Sequence, residues 1–183
     1  IAEGLAADWV VLYVVDMERE IVNHTVQGGA DPTPLVPVDF DELSAGLSGW
    51  VLEHHETAYS PKSKMPDPRE STEVQKRRVE SEVGSMIITP LIYQDDCYGT
   101  MSIINRLDHQ DFTEVDVALA EKMSDHAAVA IYNARLLEQL RHRTVTLETV
   151  AEISRAAASI LNIDELLPRA VELIREHFDL YYT

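Results

Sequence analysis

GSMIITPLIYQDDCYGTMSIINR, residues 84 to 106, is the stretch whose reading decides the fold. Two apolar runs, 86–93 and 98–104, are rich in Ile and Tyr and flank the polar turn Gln94-Asp95-Asp96-Cys97. This is the pattern of a long antiparallel hairpin. Pro90 lacks the N–H that a ladder bond needs, so it belongs at a bulge or a strand end. Gly99, just after the turn, suits a close backbone approach or a second bulge. Before the hairpin lie shorter strands and loops; after it the chain reads as helix.

Upstream, WVVLYVV (9–15) is apolar on both faces and reads as a strand central in its sheet. EIVNHTV (20–26) follows as its hairpin partner, and Gly28, Gly29, Pro32, Pro34 and Pro37 mark a loop. In LSAGLSGWVLEHH (43–55), Ser48 is placed to cap a short helix carrying Trp50, Val51 and Leu52. TAYS (57–60) is a short strand closed by Pro61. The Pro-rich piece 61–71 is irregular, and residues 72–82 turn helical. Residues 62–78 hold six basic side chains, Lys62, Lys64, Arg69, Lys76, Arg77 and Arg78, against Asp67, Glu70 and Glu73.

That basic island stands out because the 183-residue chain carries 32 acidic and 15 basic residues, a formal charge of −17. Such a balance excludes a bare nucleic-acid or anionic-membrane surface, which needs clustered Lys and Arg. No apolar run approaches the roughly 20 residues that span a bilayer, and no secretory signal is legible. A single cysteine, Cys97, excludes an internal disulfide and a cysteine-rich zinc site. A cytoplasmic setting is the expectation. The opening at Ile1 suggests a piece trimmed from a longer protein.

Downstream, Thr113 is an N-cap with Asp116 three residues on, a capping box in which Asp replaces the usual Glu or Gln. The helix it starts meets no Gly or Pro until Pro168, with a weak point at RHRTVT (141–146). Such length suggests a coiled coil or an interdomain helix. Six of the eight a/d positions Leu136, Leu140, Arg143, Leu147, Val150, Ser154, Ala157 and Leu161 are apolar, which predicts a helix–helix seam and a homodimer through this helix. Asn162-Ile163-Asp164 breaks the helix, Asp164 caps another, and residues 180–183 begin to read as a strand.

The order of pieces resembles the GAF domain, a sensory module built on an antiparallel sheet flanked by helices. Residues 47–51 (LSGWV) with His55-Glu56-Thr57, 85–91 (SMIITPL), 98–101 (YGTM), 112–116 (FTEVD) and 126–137 (HAAVAIYNARLL) match the family's motifs in order. The resemblance implies an α+β, GAF/PAS-like fold over residues 1–142. It implies an interdomain signalling helix over 143–161, and the start of a second such domain over 162–183, where Asn162 stands for the first Asp of the family's entry pattern.

The same resemblance sets the basic island over a ligand cavity. Arg69, Arg77 or Arg78 would reach a carboxylate or phosphate there, with Tyr59, Ser60, Ser85, Ile87 and Thr89 lining the pocket. The alternative is that these cations face water and pair with Asp67, Glu70, Glu73 and Glu80. Cyclic-nucleotide-binding members carry Asn-Lys, Phe and Asp-Glu; this chain has Asn105-Arg106, Phe112 and Asp116-Val117, so Val117 departs from the pattern. Arg106 and Asp116 read better as an ion pair coupling the last strand to the closing helix.

Cys97, beside Asp95 and Asp96, is an inert surface thiol by this reading. One cysteine does not suffice for GAF-like methionine-sulfoxide reductase chemistry, so no enzyme is expected. Neither metal spacing nor a phosphoacceptor signature surrounds the seven histidines. The expectation is a sensory module of a bacterial-type signalling protein that takes a small molecule or a partner and signals through a dimeric helix. Its cofactor is unassigned, and its output domain lies outside this chain. A ligand-free dimerisation scaffold is the alternative.

Overall fold

The computed structural model describes residues 5, 7–30, 38–159 and 163–178. Five strands form one sheet in the order β2-β1-β5-β4-β3, every neighbouring pair antiparallel. They are β1 (Trp9–Asp16), β2 (Ile21–Gly28), β3 (Ala58–Ser60), β4 (Val83–Tyr93) and β5 (Asp96–Arg106). Strand β1 lies between β2 and β5, which is why its side chains are apolar on both faces. Strand β2, at the edge, is exposed along almost its whole length and carries Asn23, His24, Thr25 and Gln27.

The β4–β5 hairpin dominates the sheet. Its turn is tighter than the sequence suggests: only Gln94 and Asp95 are outside the ladder, while Tyr93 pairs with Asp96 and Ile92 with Cys97. Gln94 takes the left-handed conformation (φ 57°) that so short a turn demands. Pro90 sits where the register shifts, between Pro90 and Ile92, so its missing N–H interrupts no regular ladder. Gly99 has φ +146°, and a Cβ there would lie 1.8 Å from the Tyr13 carbonyl oxygen. Only glycine permits that approach between β5 and β1.

Strand parity separates two cores. Trp9, Val11, Tyr13, Met86, Ile88 and Ile104 face one side and pack against Leu43, Leu47, Val51 and Leu52. Those four belong to α1 (Phe40–Ser44) and α2 (Leu47–His54). Val10, Ile87, Leu91, Met101 and Ile103 face the other side, against Phe112, Ala120 and Ala128. Helix α3 (Thr72–Glu80) completes the first side, and a short 3-10 turn (Lys62–Lys64) precedes it in the chain.

Helix capping follows local chemistry with one correction. Asp39 caps α1 by accepting from the Glu42 N–H, and Ser71 caps α3 by accepting from Val74. Ser48, expected to cap α2, lies inside it; the cap position is Gly46, whose lack of a side chain leaves no cap bond. His55 ends α2 in the left-handed conformation (φ 58°).

The last helices are α4 (Glu114–Ser159) and α5 (Ile163–Phe178). The capping box forms as expected: Thr113 N–H and Oγ1 both donate to Asp116 Oδ2 at 2.7 Å. Helix α4 passes through 141–146 without a break. Thr144, Thr146 and Thr149 each donate a hydroxyl proton to the carbonyl four residues earlier, which satisfies these groups within the helix. By internal contacts the chain divides into two units, 1–132 and 133–183, and the division falls within α4. The strand expected at 180–183 lies outside the described residues.

Candidate functional site

Between the first face of the sheet and the α1–α3 layer lies a cavity of about 160 Å³. Its floor is Tyr13, Met86, Ile88, Ser102 and Ile104, one parity of β1, β4 and β5. Its walls are Leu43 of α1, Leu47 and Ser48 of α2, and Val74, Arg77 and Arg78 of α3. The lining is chiefly apolar. It is interrupted by the charged groups of Glu42, Glu70, Arg77 and Arg78 and by four hydroxyls: Ser81 is exposed, while Tyr13 (8% exposed), Ser48 (6%) and Ser102 (4%) are buried and have no hydrogen-bond partner among the described residues. Burial pushes the Tyr13 phenol above its ordinary value, with the Arg77 charge opposing, so it stands as a neutral donor at pH 7.

The charges around this cavity are paired with one another. Arg78 is 5% exposed and staples α3 to the sheet edge. It donates to Ser60 Oγ at 3.0 Å, Glu70 at 3.2 Å, the Ser60 carbonyl at 3.3 Å and the Gly84 carbonyl at 2.5 Å. Burial raises Glu70 above the usual carboxylate range despite Arg78. Arg77 meets Glu42 of α1 at 3.1 Å, joining two of the walls.

Arg69 forms a second clamp. Its guanidinium donates twice to Asp67, at 2.9 and 2.7 Å, and once to the Tyr59 carbonyl, and it lies over the Trp50 ring, 5.1 Å from the centroid. Burial alone would raise Asp67, but the side-chain and backbone hydrogen bonds from Arg69 outweigh it and hold that carboxyl at about 2. A wider cleft of about 510 Å³ opens on the other side of α3, beside Met65, Pro66 and Val79.

The candidate residues therefore scatter. Arg77 lines the cavity, and Ser60 lies beneath it as a partner of Arg78. Arg69 is occupied by Asp67. Ser85, Ile87 and Thr89 do not line the cavity with them. The ladder pairs Ile87 with Ile103 and Thr89 with Met101 on the opposite face, where Ile87 is fully buried in the other core. Thr89 donates to the Met101 carbonyl at 3.4 Å. Tyr59, paired with Ile87, also belongs to that face, and its hydroxyl donates to the Phe112 carbonyl at 2.5 Å. Ser85 is fully buried, and its hydroxyl has no partner among the described residues.

Tyr13, Ser48 and Ser102 escaped the sequence reading. The signal that could have found two of them is strand parity: Val11 opposite Ser102 and Tyr13 opposite Thr100 share one face. The Arg106–Asp116 pair gives way to other partners. Register sets Arg106 opposite Val83, so its guanidinium bonds the adjacent Glu82 at 2.6 Å and lies over Trp9. Asp116 is held by Thr113. Asn105 donates to the Gln110 carbonyl and so fastens the turn after β5.

Cys97 is not in the turn but in β5, half-buried against the first core. Burial pushes its thiol up, a larger influence than the neighbouring carboxylates on which the sequence reading relied. Among the described residues no group of three or more His, Cys, Asp or Glu is arranged to hold a metal ion, and no helix is long and apolar enough to cross a membrane.

An antiparallel five-stranded sheet with a helical layer on each face, one layer covering a cavity, defines the class as a small α+β domain. The chain belongs to the GAF domain family, whose model matches residues 1–131. Solved structures share the fold. The GAF domain of a phosphoenolpyruvate-protein phosphotransferase from Coxiella burnetii is 21% identical, with a TM-score of 0.60 over 75% of this chain and 79% of that one. The GAF domain of a two-component sensor histidine kinase from Bacillus halodurans is 18% identical, with a TM-score of 0.54 over 72% and 86%. A methyl-accepting chemotaxis protein fragment is 19% identical, with a TM-score of 0.58 over 74% and 87%. No curated protein sequence matches the chain.

Proposed function

We propose that this chain is the sensory part of a larger signalling protein, non-catalytic itself, which binds a small molecule in the 160 Å³ cavity and passes the change on through α4 as a homodimer. The observation that carries the ligand half is the lining: three hydroxyls of buried residues, without partners among the described residues, set among apolar side chains and two cation–carboxylate pairs. Convergent polar groups in an apolar pocket are what small-molecule sites use. These hydroxyls belong to residues that line the cavity, so a ligand there can supply the hydrogen bond each lacks. The resemblance to GAF domains of a sensor histidine kinase and a chemotaxis protein supports the signalling context.

The dimer half rests on α4. Leu136, Leu140, Leu147 and Val150 are 41–67% exposed at a/d spacing, an apolar stripe that a second copy of the helix would cover. Light scattering on the whole chain should give a dimer, and Leu140→Glu with Leu147→Glu should give a monomer with unchanged helix content. A monomeric wild type at high concentration would sink this half.

The cavity's small volume favours one second reading, a ligand-free dimerisation scaffold. A thermal-shift screen separates the two, because a specific ligand raises apparent stability by mass action. Cyclic nucleotides fit poorly: the cavity is well below the roughly 300–1,000 Å³ of ordinary ligand sites, and Arg106 and Asp116 are engaged elsewhere.

A further inference from the structure

We infer that the ligand of this cavity is a small uncharged molecule of single-ring size bearing one or two hydroxyl or carbonyl groups, and not an anion. The inference rests on the cavity's being a ligand site at all, and three observations on that site carry it.

The first is size. An apolar cavity near 150 Å³ accommodates a benzene-sized guest, and this one is about 160 Å³. The second is charge. The basic island invites an anion by sequence, yet the cations at the cavity already have carboxylates. Arg78 holds Glu70 at 3.2 Å and Arg77 holds Glu42 at 3.1 Å, and all four residues line the cavity. Two cations against two anions leave no net charge. An anionic ligand would lose its hydration and meet walls with no net positive charge to offset that loss.

The third observation is the polar groups that remain. The Tyr13, Ser48 and Ser102 hydroxyls come from three separate elements, β1, α2 and β5, and lie nine-tenths buried without partners. A hydroxyl both donates and accepts, so the three together complement a neutral hydroxyl or carbonyl and need no charge on the ligand. Burial of Tyr13 keeps its phenol protonated, which preserves that donor. The aliphatic surround of Leu43, Leu47, Val74, Met86, Ile88 and Ile104 fits a ring or a short branched chain.

The test uses the whole chain and matched probes titrated by protein NMR: phenol and benzyl alcohol as neutral hydroxylated rings, benzene as the bare ring, and benzoate as the same ring with a charge. Shifts should centre on residues of the cavity. Benzyl alcohol should bind at least about tenfold more tightly than benzoate. Ser102→Ala should weaken phenol about fivefold, the worth of one net hydrogen bond, and leave benzene unchanged. Ser48→Ala, at a helix position, repeats that comparison should Ser102→Ala perturb the sheet.

Benzoate binding as tightly as benzyl alcohol, or more so, at this cavity would overturn the ligand class and leave the site standing. Equal losses for phenol and benzene in both serine variants would remove the role of the hydroxyls and overturn the class likewise. Absence of shifts at the cavity with every probe, benzoate included, would overturn the site and the inference with it.

Discussion

The two faces of one sheet are filled in different ways. On the face toward α4, Ile87, Leu91, Met101 and Ile103 are fully buried, and Tyr93 and Tyr98 add ring contacts to Tyr132 at 4.9 and 6.3 Å. On the face under α1–α3 an apolar cavity remains, with unbonded hydroxyls on its surface and the buried Arg78–Glu70 pair at its edge. Protein interiors are normally close-packed, and voids and partnerless polar groups both cost stability. The void lies on one face, whereas buried hydroxyls without partners among the described residues occur on both, Thr100 on the cavity side and Ser85 on the other. The face toward α4 is filled by packed side chains, and the face under α1–α3 combines a packed core with the cavity.

The contrast is easiest to break at Arg78, because that one side chain joins α3 to Ser60, Glu70 and Gly84 at once. Arg78→Ala leaves Glu70 buried without its partner and should cost about 3–5 kcal/mol in denaturant unfolding. Hydrogen exchange should rise in α3 before it rises in β5. Burial already raises Glu70, so protonation in the folded variant removes the uncompensated charge, and the deficit should shrink as pH falls through that raised value. A loss below about 1 kcal/mol would mean that α3 is held by something else.

Next in size is the Asp67–Arg69 clamp. Asp67 titrates at about 2 in the fold against an ordinary 3.8. The depressed value means that its contribution is whole above about pH 5 and is lost as pH falls through about 2, a change of about 2 kcal/mol. Comparing acid unfolding of wild type and Asp67→Asn should show that window only in the wild type. A pH dependence that persists in the variant would point to other carboxylates.

Ile87→Val tests the packed face. Removing one buried methyl group should cost about 1 kcal/mol and leave binding at the cavity unaltered, because the side chain points to the other core. An affinity change would contradict the parity assignment. Smallest is Ser102→Ala without ligand. Its hydroxyl has no partner, so stability should move by less than about 0.5 kcal/mol or even rise, in contrast to a bonded buried serine. A larger loss would mean that the hydroxyl is already satisfied and would weaken the case for the cavity.

Much of this architecture was legible along the chain. The β4–β5 hairpin, the Pro90 bulge, the Gly99 approach to β1, the Thr113–Asp116 capping box and the helix after it follow from interactions between near neighbours or from the demands of single residues. Two cation–carboxylate pairs of the basic island came from its own span, Asp67 for Arg69 and Glu70 for Arg78, while Arg77 reaches Glu42 of α1. Their burial did not: a charge-rich segment reads as a solvated surface, and only the layer packed above the sheet takes Arg78 out of water.

The candidate site shows where linear reading stops. Ser85, Ile87 and Thr89 share one parity, and the sequence does not say which parity meets the cavity. That depends on which helical layer lies over which face, a choice made by contacts between residues as distant as Leu47 and Ile104. Arg106 was near Asp116 in sequence, yet ladder register delivered it to Glu82. The sequence by itself determined the elements and the GAF membership, because period, turn chemistry and caps act over a few residues. The tertiary structure alone decided the cavity, its hydroxyls and the pairing of its charges, because burial and register are properties of segments brought together from across the chain.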